Sequence, residues 1–235
     1  MIRSIAIWAL GLINTASWTL VAVIYTIFSA SSRNIHFTCA VPWSKLILWI
    51  SGVRVEIMGL NQIQEHTPYI YIPNHSSFFD IFSLLAYLPV EFKFILKEEL
   101  MRIPFLSWGM RKAGYISISR ASPAKARSTF KQAVTMIRNG TSLVIFAEGT
   151  RSYDGHLQPL KRGAFQLAMA SGTSIVPVAI KGSHKIMTRG NFKLNKGTIK
   201  IQLGKPIVTQ DYKRKQMPEL IGRVTESLEA MLDKL

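Results

Sequence analysis

Hydrophobic residues are distributed differently in the first fifty positions and in the rest of the chain. Positions 4–32 contain no charged residue, and as a helix they would measure about 44 Å, more than the roughly 30 Å hydrocarbon core of a bilayer. A second apolar stretch, 37–50, contains two tryptophans and a lysine, residue types typical of the bilayer interface. We therefore predict that residues 1–50 form a membrane-attaching helical module, which either spans the bilayer or lies half-embedded in it. A hairpin buried in the protein core is the alternative.

From about residue 52 onward, short apolar runs alternate with helical patterns. Seven runs rich in Ile, Val, Phe and Tyr, with turn residues nearby, predict strands; they are 53–58, 69–72, 92–96, 115–119, 142–147, 175–180 and 198–203. Helices are predicted from the turn that contains Asp80 to about Leu88, from a Ser122 cap and Pro123 to Asn139-Gly140, and over 163–170 and 218–235. This alternation predicts an α/β domain over residues 51–235, with a mixed, largely parallel central sheet flanked by helices.

The charge of the chain narrows the classes of partner. A formal net charge of +16 favours a polyanionic partner, either nucleic acid, an anionic membrane surface or phosphorylated substrates. The mean hydropathy of +0.19 is high for so basic a chain, and no zinc-finger, RNP or basic-zipper signature is present. We therefore expect a membrane and no nucleic acid. The single cysteine, Cys39, excludes a disulfide scaffold and a multi-cysteine zinc site, and we expect no metal.

One histidine stands beside a carboxylate at a predicted strand end. His75 follows the strand 69–72, and Asp80 lies five residues further on. Inside one regular helix the two would lie about 140° apart, so they meet only if His75 is in the loop and Asp80 in the first helical turn. Ser77 with Asp80 reads as a capping box, which predicts that arrangement. A histidine oriented by a carboxylate can take a proton from a hydroxyl, although Asp80 could also merely cap its helix.

No G-x-S-x-G nucleophile elbow occurs in the sequence, and neither serine beside His75 has the setting of a nucleophile. We therefore predict direct transfer to the hydroxyl of a substrate, without a covalent enzyme intermediate.

A second cluster, 146–152, follows another predicted strand. Gly149 allows close backbone approach, Thr150 supplies a hydroxyl, and Arg151 offers forked donors that suit a phosphate. Glu148 could bind a hydroxyl or hold Arg151 in place. An ordinary strand-to-loop turn with a surface ion pair is the alternative.

A further arginine, Arg120, directly follows the predicted strand 115–119. Its position makes it a candidate ligand for the same phosphate, and a solvated basic surface is the alternative.

Four segments in order resemble the motifs of the glycerolipid acyltransferase family. They are N-H-S-S-F-F-D (74–80), G-Y-I-S-I-S-R (114–120), F-A-E-G-T-R-S (146–152) and V-P-V-A-I (176–180). The resemblance covers residues 50–210 and is greatest to the bacterial 1-acyl-sn-glycerol-3-phosphate acyltransferases. Ala147 stands where the family most often has proline, a change that removes a backbone restraint but no functional group.

The resemblance implies a role for each matching residue. His75 would be the general base that deprotonates the acceptor hydroxyl, and Asp80 would orient it and stabilise its charge. The residues implied to hold the phosphate and glycerol of the acceptor are Lys97, Arg120, Glu148, Gly149, Thr150 and Arg151. The strand 176–180 would help to shape the acyl or donor site.

The resemblance also implies the reaction. Acyl-CoA or acyl carrier protein would donate an acyl chain to lysophosphatidate, giving phosphatidate without a cofactor. The enzyme would be attached to the membrane with its active site facing the cytoplasm, at the bacterial inner membrane. Another lysophospholipid or a lyso-aminolipid as acceptor, and a non-catalytic membrane lipid-binding protein, remain as alternatives.

Overall fold

A seven-stranded sheet forms the centre of the described residues, which in this computed structural model are 1–28, 35–102, 106–118 and 123–235. In chain order the strands are β1 Val53–Met58, β2 Ile70–Pro73, β3 Phe92–Lys97, β4 Ile116–Ile118, β5 Ser142–Val144, β6 Ile175–Lys181 and β7 Gly197–Leu203. Their order across the sheet is β1-β7-β6-β2-β5-β3-β4. Each of the seven apolar runs in the sequence therefore contains a strand.

The sheet is mixed and largely parallel, as the sequence predicts. Strands β6 and β7 pair antiparallel, with Val178 opposite Leu203, and every other neighbouring pair is parallel. The prediction for 142–147 is too long, because β5 ends at Val144. The chain turns shortly afterwards, where the Gly149 N–H donates to the Phe146 carbonyl at 2.9 Å.

Helices precede the sheet and connect its strands. They are α1 Ile2–Phe28, α2 Val41–Ser51 after a π-helical turn His36–Ala40, α3 Phe79–Tyr87, α4 Leu106–Lys112, α5 Pro123–Arg138, α6 Arg162–Ser171, α7 Ser183–Ile186 and α8 Met217–Lys234. Three 3₁₀ turns occur at Leu60–Gln62, Glu98–Arg102 and Arg214–Gln216. Helices α4 and α7 were not predicted, since seven and four residues are too short to show a helical period. The predicted cap Ser122 lies outside the described residues.

Each face of the sheet is covered by its own layer of helices. Along β2, Tyr71 joins the hydrophobic cluster that includes Ile7 of α1 and Leu48 of α2. Its neighbours Ile70 and Ile72 join the opposite cluster, formed with α5, α6 and α8. This alternation buries β2 on both faces, as expected for a strand inside a parallel sheet.

Helix α1 packs along the domain on one side and is exposed on the other. Ser4 and Ile7 are buried, and Arg3 donates from Nη1 to the Leu194 carbonyl at 2.8 Å and from Nη2 to the Ser51 carbonyl at 2.6 Å. The outer side exposes large apolar side chains, among them Met1, Ile2, Ile5, Leu10, Leu12, Ile13, Leu20 and Ile24.

The exposure of α1 argues against a hairpin that is buried in the protein core. The segment Ile2–Thr26 is long and apolar enough to cross a membrane, and only 17% of its most apolar window is buried. A large exposed apolar surface is typical of a membrane or protein contact, so the helix favours membrane association. The domain boundary at residue 50 stays a prediction.

Candidate active site

The loop that carries His75 is fixed at its first residue. Asn74 follows β2 and pairs with the backbone of β6: its Nδ2 donates to the Ile180 carbonyl at 2.9 Å, and its Oδ1 accepts the Ile180 N–H at 2.7 Å. The loop therefore leaves the carboxyl edge of the parallel strands in a defined direction. That edge is where ligand sites of open α/β sheets occur.

His75 and Asp80 form a hydrogen-bonded pair. The His75 Nδ1 lies 2.9 Å from the Asp80 Oδ2, and the aspartate side chain is fully buried. His75 lies in the loop and Asp80 in the first turn of α3, which is the arrangement that their spacing requires. In the neutral imidazole, a carboxylate at this place accepts the Nδ1 proton, which leaves the lone pair on Nε2.

The same carboxylate oxygen also caps the helix. The Asp80 Oδ2 accepts the Ser76 N–H at 2.8 Å and the Ser77 N–H at 2.9 Å, so one half of the predicted capping box is present. The other half is not, because the Ser77 hydroxyl donates to the Met187 carbonyl at 2.9 Å and accepts the Phe79 N–H. One oxygen of Asp80 therefore serves both the helix start and the histidine.

An aromatic ring holds the plane of the imidazole. The Phe146 ring stacks on the His75 ring with centroids 3.8 Å apart and an interplanar angle of 21°, and the Phe94 ring also stacks on Phe146, with centroids 6.0 Å apart. Sequence reasoning missed this contact, because Phe146 continues the apolar pattern of β5 and is expected in the core. Only its place two residues before Glu148 in the second cluster could have indicated the contact.

Glu148 connects the two loops through the backbone. Its side chain is 3% exposed; Oε1 accepts the His75 N–H at 2.6 Å and Oε2 accepts the Gln158 N–H at 3.1 Å. Burial raises the pKa of Glu148 to about 7, although both hydrogen bonds favour the ionised form. The Ser152 N–H donates in return to the His75 carbonyl at 2.8 Å, so each loop fixes the other.

Two guanidinium groups converge beside this pair of loops. The Arg151 guanidinium lies 3.9 Å above the Phe78 ring, and its Nη1 is buried with no hydrogen-bond partner in the described part of the chain. Arg189 donates to the Arg151 carbonyl at 2.7 Å and lies 4.0 Å above the Tyr153 ring. Burial first, and then the charge of Arg189, lower the pKa of Arg151. An anion would satisfy the buried donor and relieve the repulsion.

The structure describes some of the remaining predicted site residues and not others. Gly149 has a left-handed φ of 74°, and Gly149 and Thr150 are half-buried in the turn between Glu148 and Arg151. Lys97 ends β3, but its side chain lies outside the described residues, as does the whole of Arg120. The structure thus brings together His75, Asp80, Glu148 and Arg151. Arg189 was missed, since the sequence shows it only as one of many basic residues.

The described residues contain no cluster of metal-binding side chains. Across residues 1–28, 35–102, 106–118 and 123–235, no three His, Cys, Asp or Glu side chains lie together as metal ligands would. The absence of a cofactor stays a prediction.

The acyltransferase family model matches residues 54–181, a segment that contains both loops of the site. The chain therefore belongs to the acyltransferase family. It is 34% identical over 183 residues to chloroplastic 1-acyl-sn-glycerol-3-phosphate acyltransferases of Brassica napus and Arabidopsis thaliana, across 77% of this chain and 53% and 51% of those proteins. It therefore spans about half the length of these relatives. The enzyme of the same name from Limnanthes alba is 33% identical over 206 residues, 87% of this chain and 73% of that one.

A solved structure shows the same fold. The crystal structure of the 1-acyl-sn-glycerophosphate acyltransferase PlsC from Thermotoga maritima superposes with a TM-score of 0.86, at 20% identity, over 99% of this chain and 94% of that chain. The likeness includes the N-terminal helices as well as the sheet, because almost the whole of both chains is covered.

Proposed function

We propose that this protein transfers an acyl chain from an acyl thioester to the free hydroxyl of 1-acyl-sn-glycerol 3-phosphate, forming phosphatidate. The observation that carries the proposal is the His75–Asp80 pair at 2.9 Å, set beside two arginines that lack a carboxylate partner in the described residues. The names of the relatives support the same acceptor.

The chemistry follows from the free lone pair on His75 Nε2. This atom takes the proton of the acceptor hydroxyl while the hydroxyl oxygen attacks the thioester carbonyl carbon. The buried carboxylate of Asp80 stabilises the imidazolium that forms. When the carbon–sulfur bond breaks, the imidazolium returns the proton to the departing thiolate, so His75 ends neutral and the products are an ester and a thiol.

Direct transfer is supported by the two serines beside His75. Ser76 is buried and its hydroxyl pairs with the Ser183 hydroxyl at 3.0 Å, while the Ser77 hydroxyl donates to the Met187 carbonyl. Neither hydroxyl is oriented toward the imidazole as a nucleophile would be. The acceptor hydroxyl is therefore the nucleophile in this proposal.

The acceptor phosphate would lie against Arg151 and Arg189. A phosphate dianion would accept a hydrogen bond from the buried Arg151 Nη1 and reduce the repulsion between the two guanidinium groups. Gly149, Thr150, Arg120 and Lys97 complete the predicted acceptor site.

Acyl-CoA or acyl carrier protein would be the donor, since the positive charge of the chain attracts either acidic carrier, and no cofactor would take part. We further propose attachment to the membrane through the exposed side of α1. The site would face the cytoplasm, where both acidic donors are found, and in a bacterium the membrane would be the inner one.

The test is the release of thiol from acyl-CoA and acyl carrier protein by purified protein in detergent, with and without lysophosphatidate. We expect release that requires the acceptor and that His75→Ala abolishes. His156→Ala, which changes an exposed histidine outside the pair, is the matched control and should retain activity. Release only with another lysolipid would change the acceptor, and no release with any acceptor would favour a lipid-binding protein.

A further inference from the structure

An exposed aromatic side chain is held in a fixed position by the loop between α7 and β7. Phe192 is 74% exposed, yet the backbone on both sides of it is anchored. The Asn191 N–H donates to the Thr188 carbonyl at 3.1 Å, and the Leu194 N–H donates to the Ser4 hydroxyl at 3.0 Å. Leu194 is itself 4% exposed, inside the main hydrophobic cluster. The exposure of Phe192 therefore belongs to the folded loop and is not the fraying of a free end.

The Phe192 ring adjoins the exposed apolar side of α1. The indole Nε1 of Trp8 donates to the Phe192 carbonyl at 2.9 Å, and the two rings meet edge to face with centroids 6.0 Å apart. One turn to either side of Trp8, Ile5 is 64% and Leu12 is 69% exposed. Residues spaced three or four apart share one side of a helix, so Phe192 extends the apolar surface of α1 sideways onto the sheet domain.

Basic residues flank this apolar tip along the chain. Four basic residues and no acidic residue occur from Lys185 to Lys196. Lys193 and Lys196 are exposed in the same loop, and Arg189 stacks on Tyr153 at its beginning. An aromatic ring among cations is the composition that binds the interface of an anionic bilayer, with the ring below the headgroups and the cations among them.

We infer that the loop 187–196 is a second membrane-contact site, in which Phe192 enters the headgroup–acyl boundary of an anionic bilayer. This contact adjoins that of α1 and adds the sheet domain to it, and it does not depend on the proposed reaction. It also has a consequence for the site, since Arg189 of the same loop binds the Arg151 carbonyl. Contact through both α1 and this loop sets the height and tilt of the active-site opening above the lipid.

The test is a depth measurement on the full chain. Phe192→Cys, labelled with an environment-sensitive fluorophore, is bound to vesicles of phosphatidylcholine alone or mixed with phosphatidylglycerol, and quenching by spin-labelled lipid is recorded. The control is Val208→Cys, an exposed apolar position (48% exposed) at the opposite end of β6. The wild-type chain measures background labelling, because its one cysteine, Cys39, is buried.

We expect the probe at position 192, and not at 208, to shift to shorter emission wavelength and to be quenched in the anionic vesicles. The pair Lys193→Glu and Lys196→Glu should reduce that quenching in anionic vesicles and leave it unchanged in phosphatidylcholine. A probe at 192 that keeps the emission of an aqueous environment on vesicle-bound protein would overturn the inference. Equal quenching at 192 and 208 would also overturn it, because no local contact would then distinguish the loop.

Discussion

Replacing Asp80 by asparagine removes one charge from the site and puts an amide NH2 in the place of Oδ1, which is buried and has no hydrogen-bond partner among the described residues. The Asp80 Oδ2 accepts three N–H groups, from His75 Nδ1, Ser76 and Ser77. The amide oxygen of an asparagine satisfies the same three donors in the same place, so the imidazole keeps its tautomer and its orientation. What is lost is the negative charge beside the imidazolium that forms during transfer.

The size of that loss follows from the distance. Nδ1 and Oδ2 are 2.9 Å apart, and both charges are delocalised, so a separation of about 4 Å represents the pair. Two unit charges at that separation interact by about 4 kcal/mol at an effective dielectric constant of ~20. Because each ~1.4 kcal/mol is a factor of ten in rate, we expect Asp80→Asn to lower kcat roughly a thousandfold.

The assay is acceptor-dependent thiol release, with the apparent Tm of each variant as the control for folding. In the His75→Ala background the same substitution should not lower any residual release further, because Asp80 acts through the imidazole. A decrease of less than about tenfold, in a folded Asp80→Asn protein, would refute the charge argument. An equal decrease with and without His75 would show that Asp80 acts only on the helix start.

Two further predictions concern the loop 146–152. Burial raises the pKa of Glu148 from 4.5 to about 7, so between these pH values the folded state holds a proton that the unfolded state has lost, and the free energy of unfolding falls by at most ~3 kcal/mol as pH rises through this window. The apparent Tm of Glu148→Gln should lack this pH dependence. Parallel pH profiles of Tm for wild type and variant would contradict the prediction. Arg151→Ala should raise the KM for lysophosphatidate about 10- to 150-fold through the loss of a charged hydrogen bond, and Arg151→Lys should have an intermediate effect. A raised KM for the donor with an unchanged KM for the acceptor would show that Arg151 binds the donor instead.

Local patterns in the sequence predict the strands and most of the helices. Apolar runs of four to six residues indicate β1 to β7, because the preference of β-branched and aromatic residues for strands can be recognised without knowing the distant residues that they contact. The sequence does not predict the antiparallel pairing of β6 with β7, because the composition of a strand does not indicate whether it runs parallel or antiparallel to its neighbour. The four-residue helix α7 is missed for the simpler reason that it contains barely one turn.

The site is predictable to the extent that its contacts are short in sequence. His75 and Asp80 are five residues apart, so helix geometry alone limits how they can meet. Asn74 and Ile180 are separated by 106 residues, and their contact depends on the pairing of β2 with β6. The stacking of Phe146 on His75 also requires two loops to come together, and no pattern within either loop contains that information.

The loop 146–152 carries two side chains, three positions apart, that point in different directions. Glu148 points into the protein, where it accepts the His75 N–H, and Arg151 carries its guanidinium over Phe78 beside the opening of the site. The left-handed φ of Gly149 reverses the chain between them, a conformation that a residue with a side chain adopts at a cost of about 1 kcal/mol or more. The glycine in this loop is therefore required less by close approach to a ligand than by the need for one short turn to position the proposed base on one side and the arginine of the proposed acceptor site on the other.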